Sequence, residues 1–226
     1  MLLPGLDGSG HLFEPFINAL PPDIKTSVVN YPAEGPNGYA DLLPLVRQSL
    51  PARPFVLLGW SFSGPLALTL AEQCPDNLRG VVLVASFASN PHPWASPLRF
   101  LVSAATVRLY PAASQAKALL GGYGSPDLRR RLALAHASVS AKALAQRFRA
   151  VLTVDARAAL RGCKVPILYL ASSGDHVVPK RALRSLLQIA PAVTVAVIEG
   201  PHMALVTNPT QAALHVGAFL RNVGGA

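Results

Sequence analysis

Phe55-Val56-Leu57-Leu58-Gly59-Trp60-Ser61-Phe62-Ser63-Gly64-Pro65 decides how the chain is read. An apolar run ends at a glycine, a serine follows two positions later, and small residues then open a helical pattern. That is the order of a buried strand, a sharp turn and a helix, with the turn lifting a serine hydroxyl off the strand's end. Such a turn needs small residues two before and two after the serine. Gly59 meets the first need. Ser63 stands where the pattern G-x-S-x-G has its second glycine, and Gly64 follows at once. Pro65 suits a first helical turn, where its missing N–H costs little. A helix starting at Phe62 also points its positive dipole end toward Ser61, favouring an anion beside the hydroxyl.

On both sides of this stretch, strands and helices alternate. Met1-Leu2-Leu3 is a strand stub, followed by the glycine-rich loop Pro4-Gly5-Leu6-Asp7-Gly8-Ser9-Gly10 and a short helix at 11–20. The loop closes with no Lys-Ser or Lys-Thr and lacks G-x-G-x-x-G, so neither phosphate-loop pattern applies. A strand is expected at 26–30 and an amphipathic helix at 38–50, with Leu42, Leu45, Val46 and Leu50 at helical spacing. The helix out of the turn spans 64–74. The apolar run at 80–85 suits a strand buried on both faces. Strands at 165–171 and 193–198 and helices at 179–189 and 209–223 complete the pattern. Between them the alternation stops. Residues 97–154 read as helix only, with Ser125-Pro126-Asp127 a clear helix start. The expected architecture is α/β: a mostly parallel sheet with helices on both faces, built from residues 1–88 and 155–226, with a helical cap inserted at 89–154.

The chain has 226 residues, 51% hydrophobic and 14% charged, which allows one large core. No apolar run reaches the roughly 20 residues of a membrane helix, and the start is too short for a secretory leader, so a cytoplasmic home is expected. Cys74 and Cys163 lie far apart with no metal-like spacing, and no metal is expected. Of the 20 Lys and Arg, eleven fall between Pro91 and Arg161, against only Asp127 and Asp155. The charge excess therefore lies in the cap. It lacks aromatic interleaving and any nucleic-acid motif, so a basic lid over a site is expected, with no nucleic-acid partner.

A serine needs an imidazole to take its proton and a carboxylate to orient that imidazole. In a parallel sheet these belong just past the carboxyl ends of strands. Asp175 follows the 165–171 strand in Gly174-Asp175-His176-Val177-Val178-Pro179, and His202 follows the last strand in Gly200-Pro201-His202. Ser61, Asp175 and His202 come in the chain order of one hydrolase fold and not of the chymotrypsin or subtilisin types. His176 precedes a helix and is expected to point away. Asp155 is expected to cap or to pair with Arg157 or Arg161, and Glu199 lies too close in sequence to His202 to orient it. His11, His92, His136 and His215 have no partner pattern. The oxyanion needs two aligned N–H donors, for which the backbone amides of Phe62 and Leu6 are expected. Asp7 is expected to brace the loop.

With these residues the chain resembles the serine hydrolases of the α/β-hydrolase fold, carboxylesterase type. The resemblance rests on the Pro4–Gly10 loop, Gly59-Trp60-Ser61-Phe62-Ser63-Gly64, Gly174-Asp175-His176 and Gly200-Pro201-His202, and covers nearly the whole length. It implies an acyl-enzyme mechanism on an ester, no organic cofactor, and a cap. That family commonly has two further strands before the glycine loop, so a sheet trimmed at its N-terminal edge is expected. Trp60, Trp94, Leu98 and Phe100 are expected to line a slot for short to medium acyl chains. Trp60 is shared with the pimeloyl-carrier-protein methyl ester esterase group, which the chain resembles. That likeness raises a second expectation, an acidic carrier protein received by Arg129, Arg130, Arg131, Arg147 and Arg149. A thioesterase, or a non-enzymatic ligand-binding protein on the same scaffold, stays open.

Overall fold

Val81, Val82, Leu83 and Val84 are all fully buried, as a strand covered on both faces requires. They belong to β3 (Leu78–Val84), the middle strand of a parallel sheet. The computed structural model describes residues 1–224 apart from Cys74 and Tyr110. Among the described residues the sheet has five strands in the order β1 (Leu2–Leu3), β2 (Phe55–Trp60), β3, β4 (Ile167–Ser172) and β5 (Thr194–Ile198). Gly59 pairs with Leu83, Leu83 with Tyr169, and Ser172 with Ile198. Because every pair is parallel, the carboxyl ends of β2, β4 and β5 lie along one rim.

Side chains alternate across this sheet with a period of two. Leu57, Val81, Leu83 and Tyr169 pack against α2 (Tyr39–Gln48), α3 (Gly64–Glu72), α8 (Arg157–Gly162) and α9 (Lys180–Ile189). Leu58, Trp60, Val82, Val84, Leu168 and Leu170 pack against α1 (Glu14–Ala19) and the C-terminal helices α10 (Ala204–Thr207) and α11 (Pro209–Gly224). Removing the branched end of a residue such as Leu83, by Leu83→Ala, would cost about 2–5 kcal/mol.

The strand expected at 26–30 shrinks to one parallel bridge between Leu2 and Val28. The Leu2 N–H donates to the Ser27 carbonyl at 2.7 Å, and the Val29 N–H to the Leu2 carbonyl at 3.0 Å. β1 is only two residues long, so it offers little edge to pair with. The chain passes outward from β1 to Val28 and back across β1 to β2, which puts α1 and α2 on opposite faces. The expected helix at 11–20 likewise contracts to α1. The end of the expected 64–74 helix, at Cys74, lies outside the described residues.

Residues 89–154 hold α4 (Ala104–Leu109), α5 (Ala112–Leu120), α6 (Pro126–Ala137) and α7 (Ala141–Thr153), with 3-10 turns at Pro93–Phe100 and Gly121–Tyr123. Ser125 caps α6, its hydroxyl accepting from the Leu128 N–H at 3.2 Å, with Pro126 in the first turn. Ser140 caps α7 in the same way. The segment leaves and returns at one point: Ser89 bridges Asp155, and the Ala156 N–H donates to the Ala88 carbonyl at 2.7 Å. Asp155 also takes two bonds from the Arg157 guanidinium, at 2.8 and 2.6 Å. Among the described residues no helix is long and apolar enough to cross a membrane.

Candidate active site

Ser61 follows β2 at the sheet rim with φ +49°, a left-handed backbone that costs a non-glycine residue about 1–2 kcal/mol. The surrounding contacts hold it there. The Ser86 hydroxyl donates to the Ser61 carbonyl at 2.5 Å. A Cβ on Gly59 would lie 2.8 Å from the Ser63 carbonyl oxygen and 2.9 Å from the Ala67 Cβ, so only glycine fits. A Cβ on Gly64 would overlap the Ser86 hydroxyl. Ser63 takes the place of the usual second glycine because its side chain has somewhere to go. Its hydroxyl is buried, donates to the Pro4 carbonyl, and lies 2.6 Å from the Tyr31 hydroxyl.

Asp175 and His202 meet this serine from the ends of β4 and β5. His202 Nδ1 is 2.8 Å from Asp175 Oδ2, and His202 Nε2 is 2.9 Å from Ser61 Oγ. The Asp175 Oδ1 accepts from the N–H groups of Val177 at 2.8 Å and Val178 at 2.9 Å. Those two amides occupy Oδ1 and leave Oδ2 to meet the imidazole. With Oδ2 accepting from Nδ1–H, Nε2 is the ring nitrogen turned to the serine hydroxyl. The Asp175 and His202 loops are stitched together. The Gly174 N–H donates to the Gly200 carbonyl at 2.9 Å, and the Ser173 N–H to the Ile198 carbonyl at 2.9 Å. Gly200 has φ +143°, a conformation that needs glycine. The side chains of His202 and Asp175 are 5% and 9% exposed, which keeps bulk water from competing for these bonds.

Leu6 and Phe62, whose amides are expected to face the oxyanion, line the same cavity as Ser61. The Ser61 carbonyl bonded by Ser86 belongs to the same peptide as the Phe62 N–H, so that amide's direction is fixed. The Phe62 ring stacks on Tyr39 at 4.7 Å between centroids, and the Tyr39 hydroxyl donates to the Phe62 carbonyl at 2.8 Å. Burial pushes the Tyr39 phenol well above its ordinary value, so it stays a donor. Leu6 sits in a turn closed by the Gly8 N–H on the Gly5 carbonyl at 3.0 Å. Among the described residues its own N–H has no acceptor. Asp7 braces the turn, its carboxylate accepting from the Ser9 N–H at 2.9 Å and the Ser9 hydroxyl at 2.5 Å.

Ser61, His202, Leu6, Phe62 and Trp60 open on a cavity of about 440 Å³, within the size range of small-molecule sites. Its far wall is apolar: Leu119 of α5, Leu132 of α6, and Leu144, Phe148 and Leu152 of α7. Trp94, Leu98 and Phe100 do not line it and are 69%, 44% and 78% exposed, which corrects the expected slot. The two prolines of Pro93–Phe100 set a surface 3-10 turn in which only Ala95 is buried. On either side of that stretch, Pro91, His92 and Val102 reach the cavity.

The sequence pattern missed two polar features of the cavity wall. His92, which has no partner pattern in the sequence, holds the Val177 carbonyl through Nε2 at 2.8 Å. Gln115 meets His136 at 2.6 Å. His176 is exposed and plays no part. The five arginines expected to receive an acidic partner do not form one surface. Arg131 is paired with Asp127 and Glu14, Arg129 donates to the Gly124 carbonyl, and Arg147 is buried. Arg147 turns inward because it shares a helical stripe with buried Ala143 and Leu144, a signal that α7's spacing does carry.

A family model described as serine aminopeptidase, S33, matches residues 38–205. The chain is 26% identical over 178 residues to the pyrrolizixenacetamide deacetylase of Xenorhabdus hominickii, covering 74% of this chain and 65% of that protein, just under two thirds of its length. It is 25% identical over 238 residues to a pimeloyl-[acyl-carrier protein] methyl ester esterase of Vibrio campbellii, covering 97% and 93% of the two. Among solved structures, MenH from S. aureus superposes with a TM-score of 0.82 at 16% identity, over 99% of this chain and 93% of that one. At that identity the likeness concerns the fold, and the α/β-hydrolase architecture expected from the sequence is the one observed.

Proposed function

We propose, from the premise that the chain belongs to the serine aminopeptidase S33 family, that it is a serine hydrolase cleaving short- to medium-chain acyl esters through an acyl-enzyme. The observation that carries this reading is the continuous path from Asp175 through His202 to Ser61, opening on an apolar cavity. Ser61 Oγ attacks the ester carbonyl carbon while His202 Nε2 takes its proton. Asp175 stabilises the resulting imidazolium. The amides of Leu6 and Phe62 hold the tetrahedral oxyanion. The C–O bond to the alcohol breaks, and the alcohol leaves with the proton from His202. Water then repeats the sequence and releases the acid. In this reading residues 89–154 form a cap whose inner wall takes the acyl chain.

A panel of p-nitrophenyl esters of rising chain length tests it. The expected result is turnover that favours short to medium chains and falls by at least about 10⁴-fold in Ser61→Ala, the order of a lost nucleophile. A Ser61→Ala variant that keeps its rate, or a folded wild type that cleaves no ester, overturns the reading.

A second reading takes the same chemistry to a carrier-linked methyl ester or thioester, and the Vibrio campbellii relative supports it. Arg130 and Arg149 remain on the exposed surface of α6 and α7 to meet an acidic carrier. Electrostatic docking of that kind weakens with salt. Turnover of a carrier-linked ester that is indifferent to ionic strength counts against it.

A further inference from the structure

We propose that Arg147 is a positioning residue: from α7 it fixes the turn that presents the Leu6 amide to the oxyanion. This rests on the hydrolase reading above. A guanidinium has five N–H donors, and here all five are used. Nη1 donates to the carbonyls of Leu6 at 3.0 Å and Asp7 at 2.7 Å. Nη2 donates to the Pro32 carbonyl at 2.9 Å and to Asn37 Oδ1 at 2.6 Å, and Nε to the same Asn37 oxygen at 3.0 Å. Asn37 is itself oriented, its amide donating to the carbonyls of Glu34 and Gly35. Arg147 and Asn37 are both 0% exposed.

The target of this fork is a turn. Residues 5–8 are closed by one backbone bond, from the Gly8 N–H to the Gly5 carbonyl, which leaves the central Leu6–Asp7 peptide untied. Arg147 takes the carbonyls of both central residues, Leu6 and Asp7, on one side. The Asp7 carbonyl shares its peptide with the Gly8 N–H, which holds the Gly5 carbonyl, and that carbonyl shares its peptide with the Leu6 N–H. Through this relay the Leu6 N–H keeps its direction as charge develops on the substrate oxygen, and no reorganisation is needed at that moment. Gly8 belongs to the same device. It has φ +74°, and a Cβ there would overlap the guanidinium, so the turn is shaped to let the arginine in.

A buried cation is costly unless something answers it. Among the described residues Arg147 makes no ion pair; four oxygen acceptors answer it instead. Burial lowers its pKa to about 10, so it stays charged at neutral pH. That charge lies beneath the turn where a negative oxygen is to form. A group kept only for packing would have no reason to spend every donor on two loops remote in sequence.

Arg147→Lys tests the proposal, because lysine keeps the charge but not the fork. The expected result on a p-nitrophenyl ester is a kcat about 100-fold lower, the order of one oxyanion donor lost, with KM within threefold. The affinity for an alkyl trifluoromethyl ketone, which captures the oxyanion state, should fall by the same factor as kcat/KM. Amide hydrogen exchange should quicken at residues 5–10 and stay unchanged at 55–60. Ser140→Ala loosens the start of α7 without touching the turn, and should lower the melting temperature while leaving kcat alone. If Arg147→Lys does not fold, Asn37→Ala removes the anchor of two donors and should lower kcat about fivefold with the same exchange pattern. Unchanged kcat and unchanged exchange at 5–10 overturn the proposal, as does an equal loss of kcat in Ser140→Ala. A wild type inactive on every ester sinks the hydrolase reading alone, and exchange at 5–10 still decides whether Arg147 holds the turn.

Discussion

Ser63 Oγ lies 2.6 Å from the Tyr31 hydroxyl while donating its own proton to the Pro4 carbonyl. Tyr31 must therefore be the donor of that pair, and burial, which raises its phenol far above the ordinary value, keeps it one. The serine that departs from the usual glycine thus ties the turn at Ser61 to the glycine loop. Ser63→Ala leaves a buried carbonyl and a buried phenol without this partner. It should destabilise the fold by about 1–3 kcal/mol, read by urea unfolding. Tyr31→Phe should cost less, because the Ser63–Pro4 bond survives. Equal stability of Ser63→Ala and wild type would show that the hydroxyl carries no such tie.

Asp7 gives a pH-dependent signature. Burial raises its pKa above the ordinary carboxylate value, partly offset by the two Ser9 bonds. Between the unfolded value and the raised folded one, the folded chain holds a proton that the unfolded chain has released. Stability from this group therefore falls as pH rises through that window, and the cost persists above it. Asp7→Asn can still accept from Ser9 but does not titrate. Its melting temperature relative to wild type should climb from pH 4 upward and then level off. A difference that stays constant with pH, or falls, contradicts the assignment.

Leu132 of α6 lines the cavity on which Ser61 opens. Leu132→Phe should shorten the chamber. Each methylene excluded from apolar contact is worth roughly 0.8 kcal/mol, so losing room for two should lower kcat/KM about tenfold for the longest good substrate. The acetate ester should be affected less than threefold. A uniform loss across the ester panel would mean that Leu132 acts on folding and not on chain length.

What the sequence made legible follows from how local each feature is. Gly59, Ser61, Asp175, Gly200 and His202 sit in short turns against apolar strands, and those turns are written in a few adjacent residues. The parallel sheet was readable because Val81 to Val84 have no polar side. The cavity wall was not, since helical spacing tells which face of α5 to α7 turns inward but not what space it meets. Trp94 and Phe100 were misplaced for that reason: aromatic residues near a proline-rich turn carry no mark of which side they take. Arg147 was grouped with surface arginines on charge, although its spacing from Ala143 and Leu144 put it on the apolar stripe. Its partner Asn37 has no local signature at all, because its role depends on a residue 110 positions away.

The paired threads at Ala88–Asn90 and Val154–Ala156 make the helical region a cassette with one seam. Exchanging such a cassette keeps the chain's entry and exit, but a replacement must restore the contacts it makes to the rim: His92 on the Val177 carbonyl at 2.8 Å and the Leu119 carbonyl on the Met203 N–H at 3.2 Å. The exchange has a further condition. A transplanted cassette must bring a guanidinium to the place Arg147 occupies, or new specificity will arrive on an enzyme whose first glycine loop has lost its anchor.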